Sequence, residues 1–365
     1  MQASASKFFG TNSEGVKLFL ESIQGLRGFS AVSVMLAHVY LMAEHKALLP
    51  GMGGGTGLPG AFASVWSVLG NGVALFFIIS GFLIPASLLR HRDVGRFMVD
   101  RALRILPVYL VLTAVVFAVG PLIGYKWMAD LSQLHFAGAL AANALFIAPL
   151  IGVPLAQQNS WSLTYEWIFY LTMAAAYVLH YRAHSRIGLG LVLALAAVGI
   201  VVWPVCLFFV LGMAFAYYGW VIRLPTLIGL VAGVAALAAL YGLHEDGSDW
   251  VAWLPGAIVF GIVLDQRSGL ARMLNTRVMS FLGRISYSLY LVHPFVVFGS
   301  LVVAARLDAH GMARPLVFAI YVAFALAASV IAAAISYELL EVRLRRLLGG
   351  MVARPRLLPV AVSAG

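Results

Sequence analysis

The chain has 365 residues, of which 62% are hydrophobic and only 10% charged, with a mean hydropathy of +0.96. A soluble domain carries about 25% charged residues, so this composition excludes a soluble enzyme and describes a single polytopic membrane bundle. The net charge of +10 is not a nucleic-acid signature, because the basic residues cluster between apolar runs, where positive-inside topology puts them. The lone Cys206 excludes an intrachain disulfide and a cysteine-rich metal site.

Residues 1–22 are mixed polar and lack the apolar core of a cleavable signal. They are expected in the cytoplasm, either as a short amphipathic surface helix or as a disordered lead-in. Eleven apolar segments follow, at about 29–45, 70–89, 102–123, 134–152, 161–180, 187–202, 204–222, 225–243, 251–265, 279–303 and 315–338. Loop charge decides which of them span. The groups at 90–96, 181–186, Arg223, Arg267 with Arg272 and Arg277, and 342–346 should be cytoplasmic, while the acidic stretch 244–249 should be external. These assignments agree only if 134–152 does not cross. The expectation is therefore an all-α bundle of about ten spans with both termini in the cytoplasm. Segment 134–152, carrying Asn143 and Pro149, becomes a re-entrant or partly inserted element on the outer side. Residues 346–365 form a tail expected to be disordered.

His38 sits in the middle of the first span, eleven residues after Arg27. Eleven residues make about three helical turns plus roughly 20°, so the two side chains share a stripe, about 16 Å apart along the axis. The imidazole then lies near the middle of a hydrocarbon core roughly 30 Å thick. An ionisable group there faces a bundle interior or a wet cavity; a histidine hydrogen-bonded to a neighbouring helix is the plainer alternative. Ser80 and Gly81 are placed near mid-membrane. Glu166 is about 9 Å in from the outer side, and His293 lies in the outer half of its segment. Arg101 and Arg104 stand where the third segment leaves the cytoplasm. A carboxylate, a histidine and a hydroxyl can thus converge above two arginines.

Five blocks stand out: LRGFSAVSVMLAH (26–38), GVALFFIISGFLI (72–84), RALRILPVY (101–109), NSWSLTYEWIFYL (159–171) and GRISYSLYLVHP (283–294). In this order they resemble the acyltransferase-3 family of bacterial membrane acyltransferases. The resemblance implies transfer of an acyl group, usually acetyl from acetyl-coenzyme A, to a hydroxyl. Typical acceptors are surface-polysaccharide sugars, with macrolides or other small molecules for some members. The family's paired Arg and His match Arg27 and His38, and its Arg-x-x-Arg element matches Arg101 and Arg104. Its Phe-Phe-x-x-Ser-Gly-Phe element matches Phe76, Phe77, Ser80, Gly81 and Phe82. Its Trp-Ser-Leu-x-x-Glu element matches Trp161, Ser162, Leu163 and Glu166. Two positions depart: Ala74 stands where many members have Asp, and Asp100 precedes Arg101 where many have a second Arg. The first departure makes Glu166 the better candidate partner for His38; the second thins the positive charge at the mouth.

On this resemblance residues 23–345 form a transmembrane acyltransferase domain in the bacterial cytoplasmic membrane. The chemistry suits the residues. Histidine can take and return a proton near neutrality, and a carboxylate can orient it. Ser80 can donate to an oxyanion, and arginines can pair with coenzyme phosphates. His38 and Glu166 are the catalytic candidates, and Arg101, Arg104, Arg27 and Ser80 the donor-binding ones. Trp161, Ser162, Tyr287 and His293 are candidates for the acceptor, a sugar or lipid-linked glycan. No metal is expected. Competing readings stay open. The arginines could be snorkelling anchors, Ser80–Gly81 a close helix contact, Trp161 an interfacial belt residue, and His293–Pro294 a helix kink. A macrolide or lipid acceptor, or a proton-coupled transporter with a buried His and Glu, are the alternative functions.

Overall fold

In the computed structural model the described residues are 13–44, 65–66, 68–123, 125–128, 131–245 and 247–352, with no side chain described before 21. The expectations for residues 1–12 and for the tail beyond 352 lie outside them, while 346–352, expected to be disordered, are helical. Among the described residues the regular structure is helical throughout. The helices are α1 (Ser13–Glu44), α2 (Val73–His91), α3 (Val94–Val119), α4 (Gln133–Ala144), α5 (Trp161–Tyr177), α6 (Arg186–Val202) and α7 (Leu207–Tyr218). They are followed by α8 (Thr226–Glu245), α9 (Asp249–Val263), α10 (Gly269–Leu274), α11 (Arg277–Arg284), α12 (Ser286–Ala309), α13 (Arg314–Ser336) and α14 (Arg345–Val352). Their starts follow local chemistry. Asp93, Ser132, Ser185, Ser268 and Thr276 each accept a backbone N–H at the head of α3, α4, α6, α10 and α11, satisfying donors that a helix cannot satisfy itself. Left-handed Arg92 (φ 52°) turns α2 into α3 within the basic loop.

Six helical stretches are long and apolar enough to cross a membrane: Glu21–Glu44, Leu69–His91, Val94–Ile123, Thr226–His244, Ser286–Ala309 and Arg314–Met351. Arg186–Val202, Pro204–Tyr218 and Asp249–Val263 are apolar but shorter. The other four expected spans are short helices: α5, α6, α7 and α9 run 17, 17, 12 and 15 residues, and 17 residues at 1.5 Å each reach only about 26 Å. The run 279–303 breaks at Ile285 between α11 and α12. Segment 134–152 is a 12-residue helix and a turn, about 18 Å long and too short to cross. Asn143 organises that turn, donating to the Ala139 and Pro154 carbonyls (2.9 and 3.1 Å) and accepting from the Ala156 N–H (2.9 Å).

Two close crossings set the layout. At Gly81 a Cβ would overlap the Phe209 carbonyl, and at Gly212 the Ile78 carbonyl, so α2 and α7 touch backbone to backbone. Gly28 and Gly283 do the same for α1 and α11. One apolar core gathers around α2, α5, α7 and α9; a second joins α1, α12 and α13. Leu191, Leu195, Val198, Leu227 and Val231 lie exposed on α6 and α8, an apolar surface suited to lipid. In the acidic stretch 244–249 His244 pairs with Asp249.

Candidate active site

A cavity opens where α1, α2, α3, α5 and α12 meet. Of the ten residues singled out in the sequence, seven line it: Arg27, Ser80, Arg101, Arg104, Ser162, Glu166 and Tyr287. Tyr170, Ser286 and Tyr290 complete its polar wall. Five helices distant in sequence bring these side chains together.

Glu166 is the centre of the hydrogen bonding. Ser80 donates to its Oε1 at 3.0 Å, and Tyr170, one turn further along α5, donates to the same oxygen. Oε2 makes no hydrogen bond among the described residues. Ser80 thus spends its proton on Glu166 rather than presenting it to an oxyanion. Tyr287 is a brace, donating to the Ile105 carbonyl of α3 at 2.7 Å. Ser162 meets the Tyr290 hydroxyl at 2.9 Å.

Three arginines face that single lining carboxylate. Arg101 pairs with Asp100 at 2.6 Å, and Asp100 also holds Arg345 of α14 at 2.7 Å. The carboxylate that replaces a second arginine therefore ties the end of the chain to α3. Arg27 and Arg104 have no ion pair within 4 Å among the described residues, and the buried Nε of Arg27 and of Arg101 has no hydrogen-bond partner. Guanidinium groups set in a protein interior without a paired anion are costly. The arrangement favours a ligand carrying negative charge.

The histidines stand beside the cavity, not in its wall. His38 and His293 pack ring to ring, 5.0 Å between centroids and 62° apart. His38 Nδ1 bonds to the Val34 carbonyl and His293 Nδ1 to the Leu289 carbonyl, both at 2.8 Å. A carbonyl only accepts, so each ring carries a proton on Nδ1, which in the neutral form leaves the lone pair on Nε2. His293 is fully buried and its Nε2 has no partner. Tyr290, in the cavity wall, lies 6.3 Å from the His293 ring and links the pair to the cavity. No hydrogen bond joins Glu166 to His38 among the described residues; the ring that meets His38 is that of His293. Trp161 packs edge-on against Phe77 at 6.3 Å, outside the wall.

Several residues had escaped notice. Tyr170 stands four residues after Glu166, a spacing that puts both on one helix face and that could have revealed it. Tyr290 lies within the fifth block. Glu341 accepts from the Ser288 N–H (3.1 Å) and hydroxyl (2.6 Å) and acts electrostatically on Arg104 and Arg27; nothing local in the sequence marks it. Among the described residues no group of three His, Cys, Asp or Glu side chains could hold a metal ion.

A family model described as an acyltransferase domain matches residues 20–334. The exopolysaccharide production protein ExoZ of Rhizobium meliloti (strain 1021) is 31% identical over 249 residues, 62% of this chain and 76% of that protein. Nodulation protein 10 of Rhizobium leguminosarum bv. viciae is 29% identical over 187 residues, 48% of each chain. No solved structure matches. A match covering most of the sequence, on a bundle of apolar helices around this cavity, shows that the chain belongs to the acyltransferase-3 family and is a membrane acyltransferase.

Proposed function

We propose that this acyltransferase moves an acetyl or other short acyl group from acyl-coenzyme A to a hydroxyl of a surface-glycan sugar. One observation carries the donor side: a cavity with three arginines, two of them without an ion pair, against a single lining carboxylate. Coenzyme A is a polyanion, and its phosphates suit Arg101, Arg104 and Arg27 as charge-assisted partners. The acceptor side draws on the similarity to ExoZ, whose name states a part in exopolysaccharide production.

In the proposed reaction His38 Nε2 takes the proton of the acceptor hydroxyl as its oxygen attacks the thioester carbonyl. The C–O bond forms, the C–S bond breaks, and the imidazolium returns its proton to the departing thiolate. An acetyl-imidazole formed first on the same nitrogen gives the same products in two steps. Glu166 acts as a ligand for an acceptor hydroxyl through Oε2, with Trp161, Ser162, Tyr287 and His293 shaping the acceptor's surroundings.

The topology proposed with this reading is about ten spans in the bacterial inner membrane. Residues 1–22 and the tail from 346 are cytoplasmic, and α4 is a partly inserted element on the outer side. The donor enters from the cytoplasm and a lipid-linked acceptor from the outside or the membrane plane. The test uses purified protein in micelles, measuring thiol released from acetyl-coenzyme A with a sugar acceptor. His38→Gln cannot exchange the proton and should lose about 10²–10⁴-fold in turnover while still binding coenzyme A. Near wild-type turnover by this variant would remove His38 from the chemistry. Mass spectrometry of cell-surface glycans with and without the protein then identifies the acceptor.

A further inference from the structure

Asn159 stands just before α5, the helix that carries Ser162 and Glu166. Its partner lies on α12, which runs through Pro294 without interruption. Proline has no N–H, so the carbonyl four residues earlier, that of Tyr290, receives no helical donor from position 294. Tyr290 is buried, and a buried carbonyl without a donor is expensive. The Asn159 Nδ2–H group donates to this carbonyl. The bond is reciprocated: the Tyr290 hydroxyl donates to the Asn159 carbonyl at 2.7 Å.

The two residues therefore clasp each other, side chain to backbone in both directions. Asn159 is 2% exposed, so bulk solvent does not reach either bond. The carbonyl partner also fixes which end of the amide faces α12, because Oδ1 against a carbonyl oxygen would be repelled. The clasp sits three residues before His293 on α12. On the other side it is three residues before Ser162 and seven before Glu166. It joins the helix bearing one of the paired histidines to the helix bearing the cavity carboxylate.

We infer that Asn159, acting on the carbonyl that Pro294 frees, is a positioning residue for acyl transfer. It fixes the register of the His38–His293 pair against Ser162 and Glu166. The inference rests on the acyl-transfer reading above for its kinetic part alone; the clasp is a structural statement that stands by itself.

The alternative is that Asn159 only satisfies a buried carbonyl. A double-mutant cycle separates the two. Pro294→Ala restores an N–H at position 294 and gives the Tyr290 carbonyl an intrahelical donor. Four full-length proteins in micelles are compared for thermal midpoint, coenzyme A affinity, kcat and KM: wild type, Asn159→Ala, Pro294→Ala and the double variant. Asn159→Ala should lower the midpoint, and adding Pro294→Ala should recover it. The kcat should fall in both single variants, on the order of 10²-fold for a displacement near 1 Å. It should fall no further in the double variant, since both changes break one device. Coenzyme A affinity should hold, because the arginines stand on α1 and α3.

Recovery of kcat together with the midpoint would reduce Asn159 to a stabilising role, and kcat losses that multiply in the double variant would show two unrelated effects; either result overturns the inference. An unchanged midpoint in Asn159→Ala would dismiss the clasp itself. A wild-type protein that binds coenzyme A but transfers no acyl group to any acceptor would instead sink the functional reading, and the midpoint cycle would still decide the clasp.

Discussion

Glu341 makes a two-signed prediction. It lies in the π-helical turn Tyr337–Leu344 that extends α13, and it accepts both the backbone N–H and the hydroxyl of Ser288. Ser288 is the third residue of α12, so its N–H is one of the donors that α12 cannot satisfy. Glu341 is thus an N-terminal cap supplied from another helix, and its charge also opposes the positive end of the helix dipole. Hydrogen bonds to a charged partner contribute about 1.5–3 kcal/mol each, so Glu341→Ala should destabilise by about 3–5 kcal/mol. Glu341→Gln keeps an acceptor oxygen and loses only the charge, at about 1–2 kcal/mol. The same carboxylate acts on Arg27 and Arg104. Removing its charge makes the cavity more positive and should tighten coenzyme A binding by on the order of 1 kcal/mol, about fivefold in Kd. The Gln variant should melt earlier in micelles and yet bind coenzyme A more tightly by calorimetry. Unchanged or weaker binding would refute the placing of the coenzyme phosphates at these arginines. Equal destabilisation by Gln and Ala would refute the cap.

Arg104→Ala should raise the KM for acetyl-coenzyme A and weaken coenzyme A binding by about 1.5–3 kcal/mol, and an unchanged affinity would leave Arg104 as an anchor at a helix end. For topology, cysteines introduced at Ser185 and at the C-terminus should label from the cytoplasm and one at Gly247 from outside. Labelling of Ser185 and Gly247 from the same side would contradict the ten-span arrangement.

The sequence marked the residues of the site but not which of them meet. Counting about 1.5 Å per residue from the charged loops set Arg27 and Arg104 at a mouth well below Ser80 and Glu166. All four line one cavity. Which faces turn toward each other depends on contacts between distant segments. His38 was paired with Glu166 because Ala74 stands where many members of the family have Asp; the structure sets His38 against His293 and Glu166 against Ser80 and Tyr170. The close crossings at Gly81–Gly212 and Gly28–Gly283 decide those neighbours. Hydropathy also overlooks breaks inside apolar runs. Ile285 divides the run 279–303, which a continuous profile reads as one span, between α11 and α12. Asn143 is the opposite case: one polar residue near a proline in an apolar segment correctly marked a broken element.

The cavity wall carries both charge and neutral polarity. Its cations come from Arg27 near the middle of α1 and from Arg101 and Arg104 in the first half of α3. The same wall offers Glu166 Oε2 and several hydroxyls. In a medium of low dielectric an incoming anion stabilises the arginines, whereas the carboxylate oxygen and hydroxyls suit an uncharged polyol, whose hydroxyls can donate to the acceptors present. On the acyl-transfer reading the two substrates are thus sorted by charge before any contact with the reacting atoms. Exchanging the sign of one arginine should therefore impair the donor step far more than acceptor binding, even though both substrates share one cavity.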